Sequence, residues 1–344
     1  MGEKSLAFVM FFTSVRGALW YNLNQTVGGK RMRKSIALVC IALLALMSAC
    51  QIAPQRPEPP PRALVPAPHV AAQSNARAVA EAKPTPVPSC SPAPMIDAPW
   101  YRQRNEQLRA MMQALAPDKT QEQIESDIQR MQIDPDQPMV ALTFDDGPKP
   151  GVTDEILDVL EQYNARATFF VLGWRLDQKP NQDILRRAVV LGCEIGNHTW
   201  SHNRLPGQNF VSVRYEIENT NDAIVDITGA KPRCFRPPGG VYTYESLAVS
   251  RNNDMCVVLW SQSGNVHERD PKRIAQNVEK QIVDGDELED GDIVLLHDTG
   301  RNMVDAVKII VPALQAKGYQ LVTVWELLNC ASCPPIPGTL YDRR

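Results

Sequence analysis

The chain has 344 residues, 28 of them proline, and 36 basic side chains face 39 acidic ones for a formal charge of −3. That balance, with no basic stripe, argues against nucleic acid as a partner and suits a neutral polymer. Length alone allows two domains, but the clustering of the prolines reduces the foldable part to one.

Residues 1–31 offer only a short apolar patch at 6–12 and read as an over-long start ahead of Met32. Lys30, Arg31, Arg33 and Lys34 then precede the apolar run 36–47, which leads to Ser48, Ala49 and Cys50. A bilayer span needs about 20 apolar residues, so this run is too short to cross. The basic, apolar, small order is that of a secretory signal. Met47, Ser48, Ala49 and Cys50 resemble a bacterial lipobox, which makes Cys50 the lipidated first residue; an uncleaved anchor and an ordinary signal peptide are the alternatives. Residues 1–50 are thus expected to be a leader, and the protein to be exported and lipid-anchored to the bacterial cell envelope. Loss of 1–49 removes Lys4, Arg16 and the four basic residues above against one acid, Glu3, and leaves a more acidic chain. Residues 51–98 are rich in Pro and Ala and nearly lack large apolar side chains. They cannot bury enough surface to offset ordering and read as a disordered, extended tether.

Residues 99–135 hold two helical stretches broken at Pro117 and Asp118, with Leu108, Met111, Met112, Leu115, Ile124, Ile128 and Met131 at helical spacing. A hairpin packed on the outside of the main domain is the expectation, and docking of a polymer the alternative. Over 136–329 strand and helix alternate. Strands are predicted at 138–144, 167–172, 193–197, 233–236, 255–260, 292–297 and 319–323. Helices follow at 153–163, 181–191, 211–228, 243–253, 272–283, 302–316 and 324–329. Apolar strands that alternate with helices imply a parallel sheet covered by helices, and so many repeats in so short a stretch imply closure into a small barrel.

The polar residues fall where such a barrel does chemistry. Its first strand runs into Asp145 and Asp146 and is stopped by Gly147 and Pro148, so one acid can hold a metal while the other handles protons. His198 and His202 stand four apart, which on a helical turn puts both imidazoles on one face; neutral imidazole is a preferred ligand for zinc-like ions. Arg236, followed by Pro237, Pro238, Gly239 and Gly240, offers a fixed cation beside an open backbone. His297 ends the sixth strand. Parallel barrels collect their chemistry at these carboxyl ends. Asp146, His198 and His202 make a set of two histidines and one carboxylate with positions left open for water and substrate. Zinc is the default, and cobalt, nickel or iron also suit it.

Eight cysteines reduce to six once Cys40 and Cys50 belong to the leader. Export permits disulfides. Cys193, Cys234 and Cys256 stand near predicted strand starts, so either two are bridged or all three are small buried residues. Cys330 and Cys333 have the spacing of half a zinc site or a redox pair. With no second such pair, and Pro334 and Pro335 following, a local disulfide or idle thiols in a tail at 330–344 are expected; Cys90 lies in the tether.

Thr143, Phe144, Asp145, Asp146 and Gly147, then His198 with His202, then Arg236, Pro237 and Pro238, then Leu295, Leu296 and His297, in this order, resemble the signature of the polysaccharide deacetylases. These are the NodB-homology domains of carbohydrate esterase family four, and the resemblance covers 136–329. It implies a distorted (β/α)7 barrel. It also implies Asp145 as the general base toward water, Arg236 as its holder, and His297 as the acid that protonates the departing amine. A backbone N–H near Gly239 would join the metal in stabilising the oxyanion. Walls for a sugar ring are expected from Trp200, Tyr242, Trp260 and Leu295.

Two departures stand out. The family commonly carries an Asp-Trp pair where this chain has Val266 and His267, so His297 lacks an orienting carboxylate unless Asn265, His267 or Asp298 substitutes. Gly239 also replaces a common aromatic. The activity implied is metal-dependent removal of acetyl groups from N-acetylglucosamine residues of peptidoglycan or a chitin-like glycan, by a monomer. The alternatives are an O-acetyl esterase on xylan or an exopolysaccharide, and a catalytically idle carbohydrate-binding lipoprotein.

Overall fold

A computed structural model describes residues 98–264, 270–274, 288–331 and 334–344. The expected leader, the lipidation at Cys50, the tether up to residue 97, Cys90, Cys333, the departures at Val266 and His267 and residues 275–283 of the helix predicted at 272–283 lie outside the described residues. None of the described helices is long and apolar enough to cross a membrane.

Helix α1 (Pro99–Leu115) starts on a proline, whose missing N–H costs nothing at a first helical position. Helix α2 (Gln121–Arg130) opens with a reciprocal cap in which Thr120 and Gln123 each accept the other's backbone N–H. Between them Leu108, Met112, Ile124, Ile128 and Met131 form a buried cluster, while Met111 and Leu115 pack on the main core. The hairpin is therefore part of the packed body. Arg104 of α1 donates to Glu326, which also takes a bond from Arg166 at 3.0 Å.

The alternating stretch runs β1 (Met139–Asp145), α3 (Thr153–Gln162), β2 (Thr168–Val171), α4 (Lys179–Val190), β3 (Glu194–Asn197), α5 (Phe210–Thr228), β4 (Cys234–Phe235), α6 (Tyr244–Asn252), β5 (Cys256–Val258) and β6 (Gln262–Ser263). It continues through β7 (Ile293–His297), α7 (Arg301–Ala316), β8 (Gln320–Leu321), α8 (Val324–Asn329) and β9 (Leu340–Tyr341). Every pairing between strands is parallel, in the order β6, β7, β1, β2, β3, β4, β5, β9, with β8 also on β1. All seven β1 positions are buried. A strand covered on both faces has no polar side to show, which is why this stretch reads as continuous rather than alternating hydrophobicity.

Connectivity shows the sheet to be curled. β6 opens the order and β5 stands one strand from its other end, yet only residues 259–261 separate them. Four residue steps reach at most about 14 Å, so the two margins face each other. Beyond β9, Arg343 bridges Asp292 and the Arg344 N–H donates to the Gly291 carbonyl at 2.8 Å, which ties the chain after β9 to the start of β7. The result is a distorted (β/α)7 barrel. The distortion has a local cause: β2 pairs only with the last three residues of β1, and β8 pairs with its first two.

Cys193, Cys234 and Cys256 are buried free thiols, the second of the two arrangements left open by their positions. Burial pushes Cys193 and Cys256 up to about 12 and Cys234 well above its ordinary value. They pack as small apolar residues and are inert as nucleophiles.

Candidate active site

Asp145 is the last residue of β1, and Asp146 turns out of the strand with φ of 73°. This left-handed backbone, more accessible to Asp than to most residues, sends two adjacent carboxyls to different partners. Asp145 is 3% exposed and faces the fully buried Arg236. One guanidinium nitrogen, Nη1, donates to Asp145 Oδ1 and to Thr143 Oγ1, both at 2.7 Å; Nη2 donates to the Leu259 carbonyl at 2.9 Å. The guanidinium also lies 4.1 Å from the centre of the Phe170 ring. Burial pulls the Arg236 pKa down and Asp145 opposes it. A buried cation survives only when paired and hydrogen-bonded in this way. With Oδ1 engaged, Asp145 Oδ2 is left facing His198 Nε2 at 3.6 Å.

The two histidines do not share a helical turn, contrary to their four-residue spacing. Thr199 and His202 have φ of 70° and 61°, so 198–202 is an irregular loop that curls both rings inward, their centres 5.1 Å apart. Tertiary bonds fix it. Thr199 N–H donates to Asn197 Oδ1 at 2.8 Å, and Ser201 donates through N–H and Oγ to the two oxygens of Glu216 at 2.8 and 2.6 Å. His198 Nδ1 sits 2.7 Å from the Arg236 carbonyl. A carbonyl only accepts, so the proton is on Nδ1 and the Nε2 lone pair points at the acids. Burial lowers the His198 pKa against the pull of Asp145 and Asp146, which favours the neutral ring that ligation requires.

Asp146 Oδ1 lies 3.3 Å from His202 Nε2 and 3.6 Å from His198 Nε2. It is buried and makes no hydrogen bond among the described residues. The three ligand atoms lie within 4.8 Å of one another. An orphaned carboxylate oxygen confronted by two imidazole nitrogens is what a divalent cation satisfies, so these residues fit a metal. The donor set does not choose among zinc, cobalt and nickel.

His297 ends β7 opposite Asp145, with Nε2 4.0 Å from Asp146 Oδ2. Its Nδ1 is buried without a partner among the described residues. Asp298 does not orient it: that carboxyl is bound by Thr153 Oγ1 instead. Burial, with Asp146 and Asp145 adding to it, pushes Asp298 up to about 7. Asn265 and His267 lie outside the described residues.

Gly239 adopts φ of 65° with open space where a Cβ would stand, while a Cβ on Gly240 would meet the Trp260 ring at 2.9 Å. Both glycines are set by left-handed backbone, Gly240 with φ of 72°, and Gly240 by contact as well. Trp260 is half-buried beside Arg236, Tyr242 is exposed on the loop that follows, Leu295 is buried within β7, and Trp200 is half-buried against Gly173. The structure therefore gathers Asp145, Asp146, His198, His202, Arg236 and His297. Thr143, Asn197 and Glu216 also hold this site; Thr143 was read as part of a motif but given no role, and the other two escaped the sequence reading. Asn197 had a faint signal as the residue before His198; Glu216, on a helix 14 residues past His202, had none.

A parallel barrel with an acid–imidazole cluster and a buried carboxylate–arginine pair at its strand ends defines the class of protein. The polysaccharide deacetylase family model matches residues 132–258. Over 197 residues the chain is 40% identical to PdaC, a peptidoglycan-N-acetylmuramic acid deacetylase of Bacillus subtilis, covering 57% of this chain and 40% of that protein. It is 35% identical over 196 residues to a peptidoglycan-N-acetylglucosamine deacetylase of Bacillus cereus, covering 56% of this chain and 88% of the relative. The structure of a family 4 acetyl xylan esterase from Clostridium thermocellum, in complex with a cobalt ion, matches with a TM-score of 0.53 at 34% identity, covering 60% of this chain and 98% of that one. The chain belongs to the polysaccharide deacetylase family. It spans well under half the length of the Bacillus subtilis relative.

Proposed function

We propose that the protein is a metal-dependent polysaccharide N-deacetylase that removes acetyl groups from N-acetylglucosamine residues of a cell-wall glycan. The observation that carries this reading is the orphaned Asp146 Oδ1 facing His198 and His202, with the free oxygen of Asp145 alongside. Asp146, His198 and His202 would hold the ion, zinc by default and cobalt or nickel as substitutes. A divalent ion there supplies Lewis-acid polarisation of the acetyl carbonyl and makes water more acidic.

The remaining work belongs to the chain. Asp145 Oδ2 accepts the proton of the attacking water, while Arg236, which cannot lose its charge, holds the other carboxylate oxygen and keeps the group aimed. His297 Nε2 delivers a proton to the departing amine. A backbone N–H near Gly239 supports the developing oxyanion, and Trp260, Tyr242 and Leu295 wall the sugar. The relatives named as peptidoglycan deacetylases favour a peptidoglycan substrate. The match to an acetyl xylan esterase supports O-deacetylation of xylan as the second reading.

Acetate release from N-acetylglucosamine oligomers should cease on chelation and return with zinc or cobalt. Asp145→Asn should lower turnover by about 10²–10⁴-fold and leave zinc stoichiometry at wild type; full activity in that variant defeats the assignment of the base. Release from acetylated xylan but not from the oligomers selects the second reading. The basic, apolar, small order of residues 30–50 supports export with a lipid on Cys50. Cys50→Ala should then abolish incorporation of labelled fatty acid, and unchanged labelling defeats the anchor.

A further inference from the structure

The ladder between β1 and β7 ends at the pair Asp145 and His297. Asp146 leaves that ladder through its left-handed turn, so strand pairing does not fix its carboxyl relative to the His297 imidazole. Something past the ladder must. Asp298, directly after His297 and fully buried, reaches across to the turn. A Cβ on Gly147, directly after Asp146, would lie 2.1 and 2.3 Å from the two Asp298 oxygens, so the carboxyl lies flat against the Gly147 Cα. Gly147 is absent from the glycines of positive φ; the position needs room, not backbone freedom.

The rest of the contact closes a loop of bonds. Thr153 Oγ1, at the start of α3, donates to Asp298 Oδ2 and accepts from the Lys149 N–H at 2.8 Å. Lys149 Nζ in turn donates to the Thr299 carbonyl at 2.7 Å. On its far side the Gly147 carbonyl accepts from the Leu172 N–H at 3.1 Å, at the end of β2. The turn after Asp146 is thereby held between β2 and the residues that follow His297. Asp298 Oδ1 finds no partner among the described residues, and burying a carboxyl half-satisfied is costly. Broken local rules of this kind are expected at functional sites.

The geometry points to Asp298 as a positioning residue that clasps the turn between β1 and α3 and sets the spacing between the Asp146 carboxyl and the His297 imidazole. It touches no reacting atom. Its partner in the clasp is Gly147, whose missing side chain makes the space that the Asp298 carboxyl fills.

The test compares Asp298→Asn, Asp298→Ala, Gly147→Ala and the double variant Gly147→Ala with Asp298→Ala. The readouts are melting temperature, zinc affinity by competition with a chromogenic chelator, and kcat and KM for acetate release. Because the activity readout rests on the deacetylase reading, zinc affinity is the independent arm. Asp298→Asn keeps the shape and the acceptor for Thr153 and should stay within about 3-fold of wild type in every readout. Asp298→Ala should lower kcat by about 10–100-fold, as displacements near 1 Å do, with KM within about 2-fold and zinc affinity reduced. Gly147→Ala alone should be as damaging, and removing the Asp298 carboxyl should restore part of its zinc affinity. Wild-type kcat and zinc affinity in a folded Asp298→Ala overturn the proposal, as does strict additivity in the double variant. If Asp298→Ala does not fold, the Gly147→Ala and Asp298→Asn pair decides on the same readouts. A wild-type protein that binds zinc but releases no acetate from any glycan overturns the deacetylase reading alone, and the affinity arm still judges the clasp.

Discussion

Glu216 carries more of the site than its distance in sequence suggests. Its two oxygens take both donors of Ser201, the residue before His202, and so set where that exposed imidazole hangs. Partners of metal ligands are worth about 10–100-fold in affinity. Glu216→Gln exchanges one acceptor for a donor facing a donor, and zinc affinity measured by chelator competition should fall by about that factor while the melting temperature changes little. Unchanged affinity would show that Asn197 and Thr199 suffice. At this scale the sequence located the side chains that the fold brings together, because Asp145, Asp146, His198, His202, Arg236 and His297 sit in short local motifs. It misled on how the histidines meet, since positive φ at Thr199 and His202 leaves no trace in a four-residue spacing. Glu216 and Asp298 were illegible as partners, for a buried carboxylate finds its donors through the tertiary fold.

The helical hairpin illustrates the same limit for whole elements. Spacing located α1 and α2 and the break at Pro117, but what locks α1 down is a buried ion cluster: Arg104 on α1 with Glu326 on α8 and Arg166 just before β2. Burial opposes the Glu326 charge, but Arg166 and Arg104 prevail and hold its carboxyl below the ordinary range. Removing one partner of a buried pair costs about 3–5 kcal/mol, so Arg104→Ala should lower the denaturation midpoint markedly, whereas Arg104→Lys should lower it less. Since the Glu326 pKa is depressed on folding, its contribution is present above its unfolded value near pH 4.3 and is lost as pH falls through the lower folded value. Acid unfolding of Glu326→Gln should therefore depend less steeply on pH below 4 than that of the wild type, and identical acid profiles would remove Glu326 from the account. The predicted strands match those observed to within one or two residues at most ends. β6 and β9 were missed because two residues carry no periodicity; they exist only through their neighbours.

At the level of the whole molecule, the barrel as a class followed from repeated strands and helices, but the means of sealing it did not. Residues 330–344 read as a tail, yet β9 pairs with β5, and Arg343 and Arg344 reach Asp292, Gly291 and Asp290 beside β7. Deleting 336–344 strips one margin of β5 and the brace at β7. The deletion should lower the melting temperature by several degrees, as a loss of 1 kcal/mol or more does in a domain of this size, and should promote aggregation through the bared edge. A deletion that melts with the intact protein would show the seal to be dispensable. This seal also orders events in time. β9 is translated after every other strand, so the ring stays open while the rest of the domain is already made. The nascent chain thus shows the outer edge of β5 unpaired until its far portion has emerged, and an unpaired edge is where a half-made sheet invites the wrong partner.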